Sequence, residues 1–321
     1  MKLSCALLPA PGVGTIAQHA EEIGYHRVFL PDSPALYGDV WIAVAEAAAA
    51  TKTIGLGTAV LVPSLRHVSV TAAAIAHIEA IAPGRLEVAL GTGFTARRMF
   101  GKPAIRLAEF ETYVDQLRRL LRGEEVEVDG QVTRLMHPEG LVAARPLETP
   151  LILAAGGPKT LALAQRIGDG VMCAAVATPG AKDAKLLVMG TVVEEGEERT
   201  SPRVVEAIGP AMAVVLHGTY EAAGEAVDAI PGGAGWRKEI ESYPEEVRHL
   251  HVHEGHLVEL SERDRRNLAP ELVDFTFTGT ANELQERTAE LEAQGVSELV
   301  YWPLGNDTRG ELSRMAEAVG S

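Results

Sequence analysis

Apolar residues fall along this chain into short, nearly continuous runs, separated by longer stretches in which they recur every three or four positions. A short apolar run reads as a strand buried on both faces, and the longer recurrence as an amphipathic helix packed over it. KLSCALL predicts the first strand, with a helix from Thr15 to Ile23 ending at Gly24. RVFLPD is the second strand, followed by a helix from Asp39 to Ala50. TIGLGTAVL is the third, and its helix, Val68 to Ile81, stops at Pro83-Gly84. RLEVALGTG is the fourth, before an amphipathic helix from Ile105 to Leu121.

The second half keeps this beat less evenly. Glu125 to Leu135 predicts a hairpin turning at Asp129-Gly130. PLILAA is strand five, with a helix from Lys159 to Ile167; GVMCAAV is strand six, with a helix beginning near Ala181. IGPAMAVVLH is strand seven, and ELVYWPL is strand eight after a helix from Asn282 to Gln294. Residues 231–270, rich in Gly, His, Arg and Glu, fit neither a strand nor one long helix. So long a stretch is expected to be an inserted loop or helical segment near the active site. Eight strand–helix units predict an α/β chain of one domain, residues 1–321, closed into a TIM (β/α)8 barrel. The long excursion then precedes the last helix–strand unit, and the site lies where strands end and loops begin.

Composition narrows the function classes. The 321 residues are 46% hydrophobic and 23% charged, which excludes a disordered chain and allows a large core. A formal charge of −15 argues against nucleic acid or an anionic membrane as partner, since neutralising phosphates takes clustered Lys and Arg. It does not argue against a small anionic ligand in a local pocket. Cys5 and Cys173, both in apolar runs, read as buried thiols of a reducing compartment. No apolar stretch has the length of a membrane span, and Pro9 and Pro11 break the short apolar start too early for a signal peptide. A cytoplasmic location is expected.

The predicted strand ends carry Asp32-Ser33, Thr58-Ala59-Val60, Gly91-Thr92-Gly93, Ala155-Gly156-Gly157-Pro158-Lys159-Thr160 and Trp302 to Asp307. Glycines there let a ligand approach the backbone closely. In GGPKT, Pro158 suits a first helical position, and the amides of a helix start beside Lys159 and Thr160 would cradle a phosphate. An ordinary loop-to-helix turn is the plainer reading. Gly12-x-Gly14-x-x-Ala17, with Asp32 about twenty residues later, outlines a dinucleotide fingerprint, but Pro9-Ala10-Pro11 sits where that motif needs a tight turn. His253-Glu254-Gly255-His256 lacks the zincin spacing. His249, His251 and His253 would share one face of a strand, yet no further ligand completes a set, so no metal is expected. A proton donor lying over a bound substrate is the sharper use for such histidines. Arg97, Arg98, Arg118, Arg119 and Arg122 read mainly as solvated helix charges.

GLGTAVLVPSLRH, GRLEVALGTG, PLILAAGGPKTLALAQRIGDGVM and AQGVSELVYWPLG, in this order and over nearly the whole chain, resemble the luciferase-like monooxygenase superfamily. Within it they are most similar to the deazaflavin (coenzyme F420)-dependent oxidoreductases related to methylenetetrahydromethanopterin reductase. The resemblance implies a barrel enzyme, often a homodimer, that passes a hydride between reduced deazaflavin and a small-molecule substrate. It implies Asp32 beside the deazaflavin ring, a strand bulge with a non-prolyl cis peptide at Ala59-Val60 under it, and Gly91, Thr92 and Gly93 along its edge. Gly156, Gly157, Pro158 and Lys159 would hold the side-chain phosphate, and Arg97 or Arg98 would meet the acidic tail. The family's sugar-phosphate dehydrogenases carry a histidine after the aspartate and a glutamate after GTG, where this chain has Ser33 and Phe94. That activity is therefore not expected, and a proton donor would come from His253, Glu254 or His256. FMN in place of F420, with oxygen chemistry, and a non-catalytic ligand-binding barrel are the alternatives.

Overall fold

The computed structural model describes residues 1–174, 177 and 180–320. Eight parallel strands close into a barrel: β1 (Lys2–Ala6), β2 (Arg27–Leu30), β3 (Gly55–Leu61), β4 (Leu86–Leu90), β5 (Leu151–Ala154), β6 (Gly170–Ala174), β7 (Ala184–Met189) and β8 (Val296–Trp302). Each pairs with its neighbour in sequence, and β8 returns to β1 through Lys2–Glu298 and Leu3–Leu299. This is the predicted TIM barrel. Closure leaves no unpaired edge and sends all eight strand ends to one rim.

Outside the barrel lie α1 (Val13–Glu22), α2 (Val40–Ala50), α3 (Val68–Ile81), α4 (Phe94–Arg98), α5 (Leu107–Leu121) and α6 (Pro158–Ile167). The hairpin pairs Val126–Val128 with Gln131–Thr133, and Asp129 and Gly130 take the positive φ that its two-residue turn needs. The lumen is filled by Ala6, Phe29, Ala59, Ala89, Ile152, Met172, Val300 and Trp302. Its lower end is ionic. Lys185 Nζ lies 2.8 Å from Glu298 Oε2 and 3.3 Å from Glu87 Oε1, all three buried.

Between β7 and the next outer helix stands an insertion: α7 (Pro202–Ala223), α8 (Gly233–Glu241), α9 (Glu245–Val252) and α10 (Glu262–Asn267), with 3-10 turns at Gly224–Ala229 and Pro270–Phe275. It has its own core around Ile208, Leu216, Trp236, Ile240 and Leu272. Its ends are stitched together, since Phe277 N–H donates to the Met189 carbonyl (2.7 Å) and Val193 N–H to that of Gly279 (2.8 Å). The chain then finishes with α11 (Ala281–Ala293), β8 and α12 (Thr308–Val319).

Three assignments from the sequence are corrected. IGPAMAVVLH is not strand seven but the middle of the 22-residue α7. Residues 207–213 are buried all round, against the insertion core on one side and the lumen mouth on another, so the helical period is erased from the sequence. The helix placed near Ala181 is instead strand β7, whose apolar run is broken by Lys185 because that lysine serves the ionic lower end of the lumen. His249 and His251 sit on helix α9, not on a strand, and His251 stacks on Tyr243. The dinucleotide outline fails too: the sheet is closed, and Gly14 is there because a Cβ would meet Glu46 and Ala50 of α2 at 3.0 Å. Of GVMCAAV, Ala175 and Val176 lie outside the described residues.

Candidate active site

At the barrel rim two cavities meet. The deeper, about 190 Å3, is lined by Asp32, Ser33, Tyr37, Ala59, Val60, Gly93, Phe94, His256, Leu257 and Trp302. The outer, about 720 Å3, runs from Val60 and Gly91–Phe94 to Ala154 and Gly156–Thr160. Val60, Gly93 and Phe94 border both, so the two form one trench over the ends of β2 to β5.

Asp32 anchors the deep end. Its Oδ2 accepts from Val62 N–H (3.1 Å) and from an Arg66 guanidinium N–H (2.7 Å), and the other arm of Arg66 reaches Asp39 (2.7 Å). Burial pushes the Asp32 carboxyl above the usual range, while Arg66 and the Val62 amide pull against that rise. Nearby, the Ala59–Val60 peptide is cis, and the β3–β4 register shifts between Thr58 and Leu61. This is the bulge and cis bond the resemblance places there. Trp302, at the end of β8, is buried with its indole N–H unpartnered and its ring on the pocket wall.

The glycines of the trench are of two kinds. Gly93 has φ 81°, and a Cβ there would stand 2.4 Å from Val62 Cγ1; at Gly91 it would stand 2.6 Å from Val60 Cγ2. The bulge of β3 demands both. Gly156 and Gly157 are different: a Cβ at either meets nothing within 4 Å, and Gly157 is extended (φ −175°), open to any residue. Neither packing nor backbone explains them, which leaves the approach of something from outside the chain. Their amides are turned inward, both donating to Thr160 Oγ1 at 3.1 Å. With Pro158 lacking an N–H, the Lys159 and Thr160 amides head α6 toward the cavity, beside the exposed Lys159 side chain.

Behind the deep pocket three buried histidines converge. His256 Nδ1 lies 3.3 Å from His217 Nδ1 and 3.1 Å from His253 Nδ1. On the far sides, His217 Nε2 is 3.4 Å from Asp264 Oδ1, and His253 Nε2 is 3.0 Å from Glu221 Oε1. Asp264 also accepts from Trp236 Nε1 (2.6 Å) and the Ser261 hydroxyl (2.6 Å). Burial would raise its carboxyl, but His217, Ser261 and Arg263 outweigh burial and bring it down to about 2. Burial first, then the neighbouring imidazoles, push His256 well below the usual histidine range, so it is neutral near pH 7.

The structure thus brings Asp32, Ala59, Val60, Gly91, Thr92, Gly93, Gly156, Gly157, Pro158 and Lys159 onto one trench with His256. His253 is not on its wall; it stands behind His256. Arg97 is turned to its own loop, donating to the Pro103 carbonyl, and Arg98 lies over Phe94 with Nε 3.8 Å from Glu221. Sequence reasoning missed Arg66 and His217. The first lies inside the quoted VPSLRH motif; the second was hidden by the strand assignment, although a lone histidine in an apolar run was the visible signal.

The described family luciferase-like monooxygenase matches residues 9–298. The chain is 34% identical over 172 residues to an F420-dependent glucose-6-phosphate dehydrogenase of Beutenbergia cavernae, covering 48% of this chain and 49% of that one. It is 25% identical over 317 residues to a 5,10-methylenetetrahydromethanopterin reductase of Archaeoglobus fulgidus, covering 94% and 92%. The chain spans about half the length of the glucose-6-phosphate dehydrogenases it matches. The coenzyme F420-dependent tetrahydromethanopterin reductase of Methanopyrus kandleri superposes with a TM-score of 0.71 at 17% identity, covering 99% of this chain and 98% of that one, a likeness of fold. With most of its length inside the matched span, and with the bulged, cis-bonded third strand in place, this chain belongs to the luciferase-like monooxygenase family.

Proposed function

We propose that the protein is a coenzyme F420-dependent oxidoreductase that moves a hydride between the reduced deazaflavin and a small organic substrate. The observation that carries the reading is the pair Gly156-Gly157, bare without need of their own, on a trench continuous with the Asp32 pocket. The relative from Beutenbergia cavernae is F420-dependent by name, and GGPK at a helix start suits a phosphate-bearing cofactor. The coenzyme, when bound, supplies the hydride; its ring has carbon where a flavin reacts with oxygen, so oxygen activation is not part of its chemistry.

This chain's residues bind, orient and shield. Lys159 and the α6 amides hold the phosphate, Gly91, Thr92 and Gly93 flank the ring, and the Ala59–Val60 bulge backs it. For an acidic tail, Arg98 lies over Phe94 and Arg97 packs beside Gly93, both at the trench border. Asp32, kept in place by Arg66, and His256 are the groups able to hold a proton on the deep wall. Phe94 and Trp302 make that wall largely apolar. Ser33 and Phe94 replace the acid/base pair of the sugar-phosphate dehydrogenases, so glucose-6-phosphate is not the substrate. A homodimer is part of this reading: Ile42 and Val70 stand exposed on the adjacent helices α2 and α3. A cytoplasmic setting suits the buried Cys5 and Cys173, and no helix among the described residues is long and apolar enough to cross a membrane.

Fluorescence titration with coenzyme F420 and with FMN tests the cofactor. Saturable binding of F420 is expected. Binding of FMN alone would move the protein to the monooxygenase reading, and binding of neither to a non-catalytic barrel. Reduced F420 is then offered activated alkenes, imines and aldehydes, with oxidation of the deazaflavin as the readout.

A further inference from the structure

The three converging histidines pose a problem of protons. Carboxylate oxygens stand beside Nε2 of His217 and of His253, at 3.4 and 3.0 Å. Neither contact is aligned well enough to be a good hydrogen bond, yet a negative oxygen at that range draws the ring proton to Nε2. Nδ1 of both rings is then a bare lone pair, and both lone pairs face Nδ1 of His256. One N–H on His256 can serve one of these contacts and leaves the other as two lone pairs face to face in a buried site. A cation between the rings satisfies all three at once.

The spacing fits such a cation. Bonds of about 2.0–2.1 Å from zinc to imidazole nitrogen, arranged tetrahedrally, put neighbouring ligands about 3.3–3.4 Å apart. The two separations from His256, 3.3 and 3.1 Å, match that spacing; the ligating atoms of all three rings span up to 4.8 Å, so the outer ring draws in when the cation binds. A metal-bound histidine usually turns its other nitrogen to a carboxylate, which fixes the ring and raises its basicity. Asp264 and Glu221 hold that position behind His217 and His253.

We propose that His217, His253 and His256 form a site for one divalent transition-metal cation of the zinc class, which ties three segments of the insertion together behind the wall of the deep pocket. The ligands come from three places in the insertion: α7, the C-cap of α9, and the turn before Leu257. Leu257 lines that pocket with φ 59°, a left-handed value rare for a branched side chain and held only by strong surroundings. The cation supplies such a hold one residue away. Three imidazoles also leave its fourth position for water or a substrate oxygen. In the metal-bound form His256 is a ligand rather than a proton donor, and Asp32 is left to hold the proton. The proposal does not depend on which flavin the trench takes.

Tag-free protein, dialysed against a chelator and titrated with cobalt(II), gives the test. Expected are one equivalent bound, the visible absorption of four-coordinate cobalt, its loss when zinc is added, and a melting temperature that rises with metal and falls back with chelator. Glu221→Gln and Asp264→Asn, which keep all three ligands, weaken binding about ten- to a hundredfold. His217→Gln abolishes the cobalt spectrum. Wild-type protein that still binds its flavin cofactor but takes up no cobalt overturns the proposal, and so does cobalt uptake unchanged by His217→Gln. Failure of the flavin titration with cobalt uptake intact would instead sink the cofactor reading alone.

Discussion

If Gly156 is bare for the sake of a ligand and Gly93 for the sake of the fold, adding a side chain at each must give opposite readouts. At Gly93 the backbone is left-handed, and a Cβ would sit 2.4 Å from Val62 Cγ1, about 1 Å inside ordinary contact. The conformation costs about 1–2 kcal/mol for an L residue and the overlap about 1–3 kcal/mol more, so Gly93→Ala should lose about 2–5 kcal/mol of stability. At roughly 2 °C per kcal/mol for a chain of this size, the melting temperature falls by about 4–10 °C. At Gly156 the φ lies outside the left-handed region and nothing stands within 4 Å, so Gly156→Val should melt within about 2 °C of wild type. What it fills is the cradle. Displacing one or two charge-assisted contacts to a phosphate, each worth about 1.5–3 kcal/mol, lowers F420 affinity about ten- to a hundredfold or more. Differential scanning fluorimetry and a fluorescence titration on the same samples measure both numbers. Wild-type affinity in Gly156→Val, or a melting loss equal to that of Gly93→Ala, would refute the argument.

Three further perturbations probe other parts of the structure. Arg66→Ala removes the cation that holds Asp32 down, so the acid limb of kcat/KM should move to higher pH; an unmoved profile would free Asp32 from any proton role. Lys185→Met strands Glu298 and Glu87 in the lumen and should cost about 3–5 kcal/mol in chemical denaturation, with F420 affinity unchanged because the cluster lies at the opposite end of the barrel. Glu21 accepts from the Lys52, Thr53 and Ile54 amides; burial acts against these bonds, which nevertheless bring its carboxyl down to about 2. Its folded pKa is the lower one, so its contribution is present above the unfolded value and is lost as pH falls toward 2. Glu21→Gln should therefore melt lower than wild type at pH 7 and converge with it near pH 2, and a constant gap would contradict the assignment.

What the sequence made legible, and what it hid, divide along physical lines. The first five strands and the helices Val68–Ile81 and Pro158–Ile167 announce themselves because each faces one sheet and one solvent side, and capping or breaking residues end them: Gly24, Pro83-Gly84, Pro158. The rim trench was legible for the same reason, since a barrel puts whatever follows each strand on one rim. Two kinds of residue broke the pattern. Lys185 and Glu298 put charge inside the barrel, where a strand is expected to be apolar, and the register of β7 was lost with them. In α7 the reverse holds, because a helix covered on every side shows no polar face, so Ile208 to His217 looks like a strand.

The loss of α7 from the sequence reading and the loss of His217 are one error. The insertion can seal the lumen mouth, packing Ala211 and Leu257 against Trp302 and Ala59, only if its first helix is apolar toward both the barrel and its own core. A helix so enclosed cannot carry a polar group unless partners meet it there. His217 is buried in that helix, and what meets it is His256 on the pocket side and Asp264 behind. The apolar sequence around His217 that disguised the helix is therefore the reason its histidine stands out: a solvated imidazole at that position would need no partner, whereas this buried one is met by His256 on one side and Asp264 on the other.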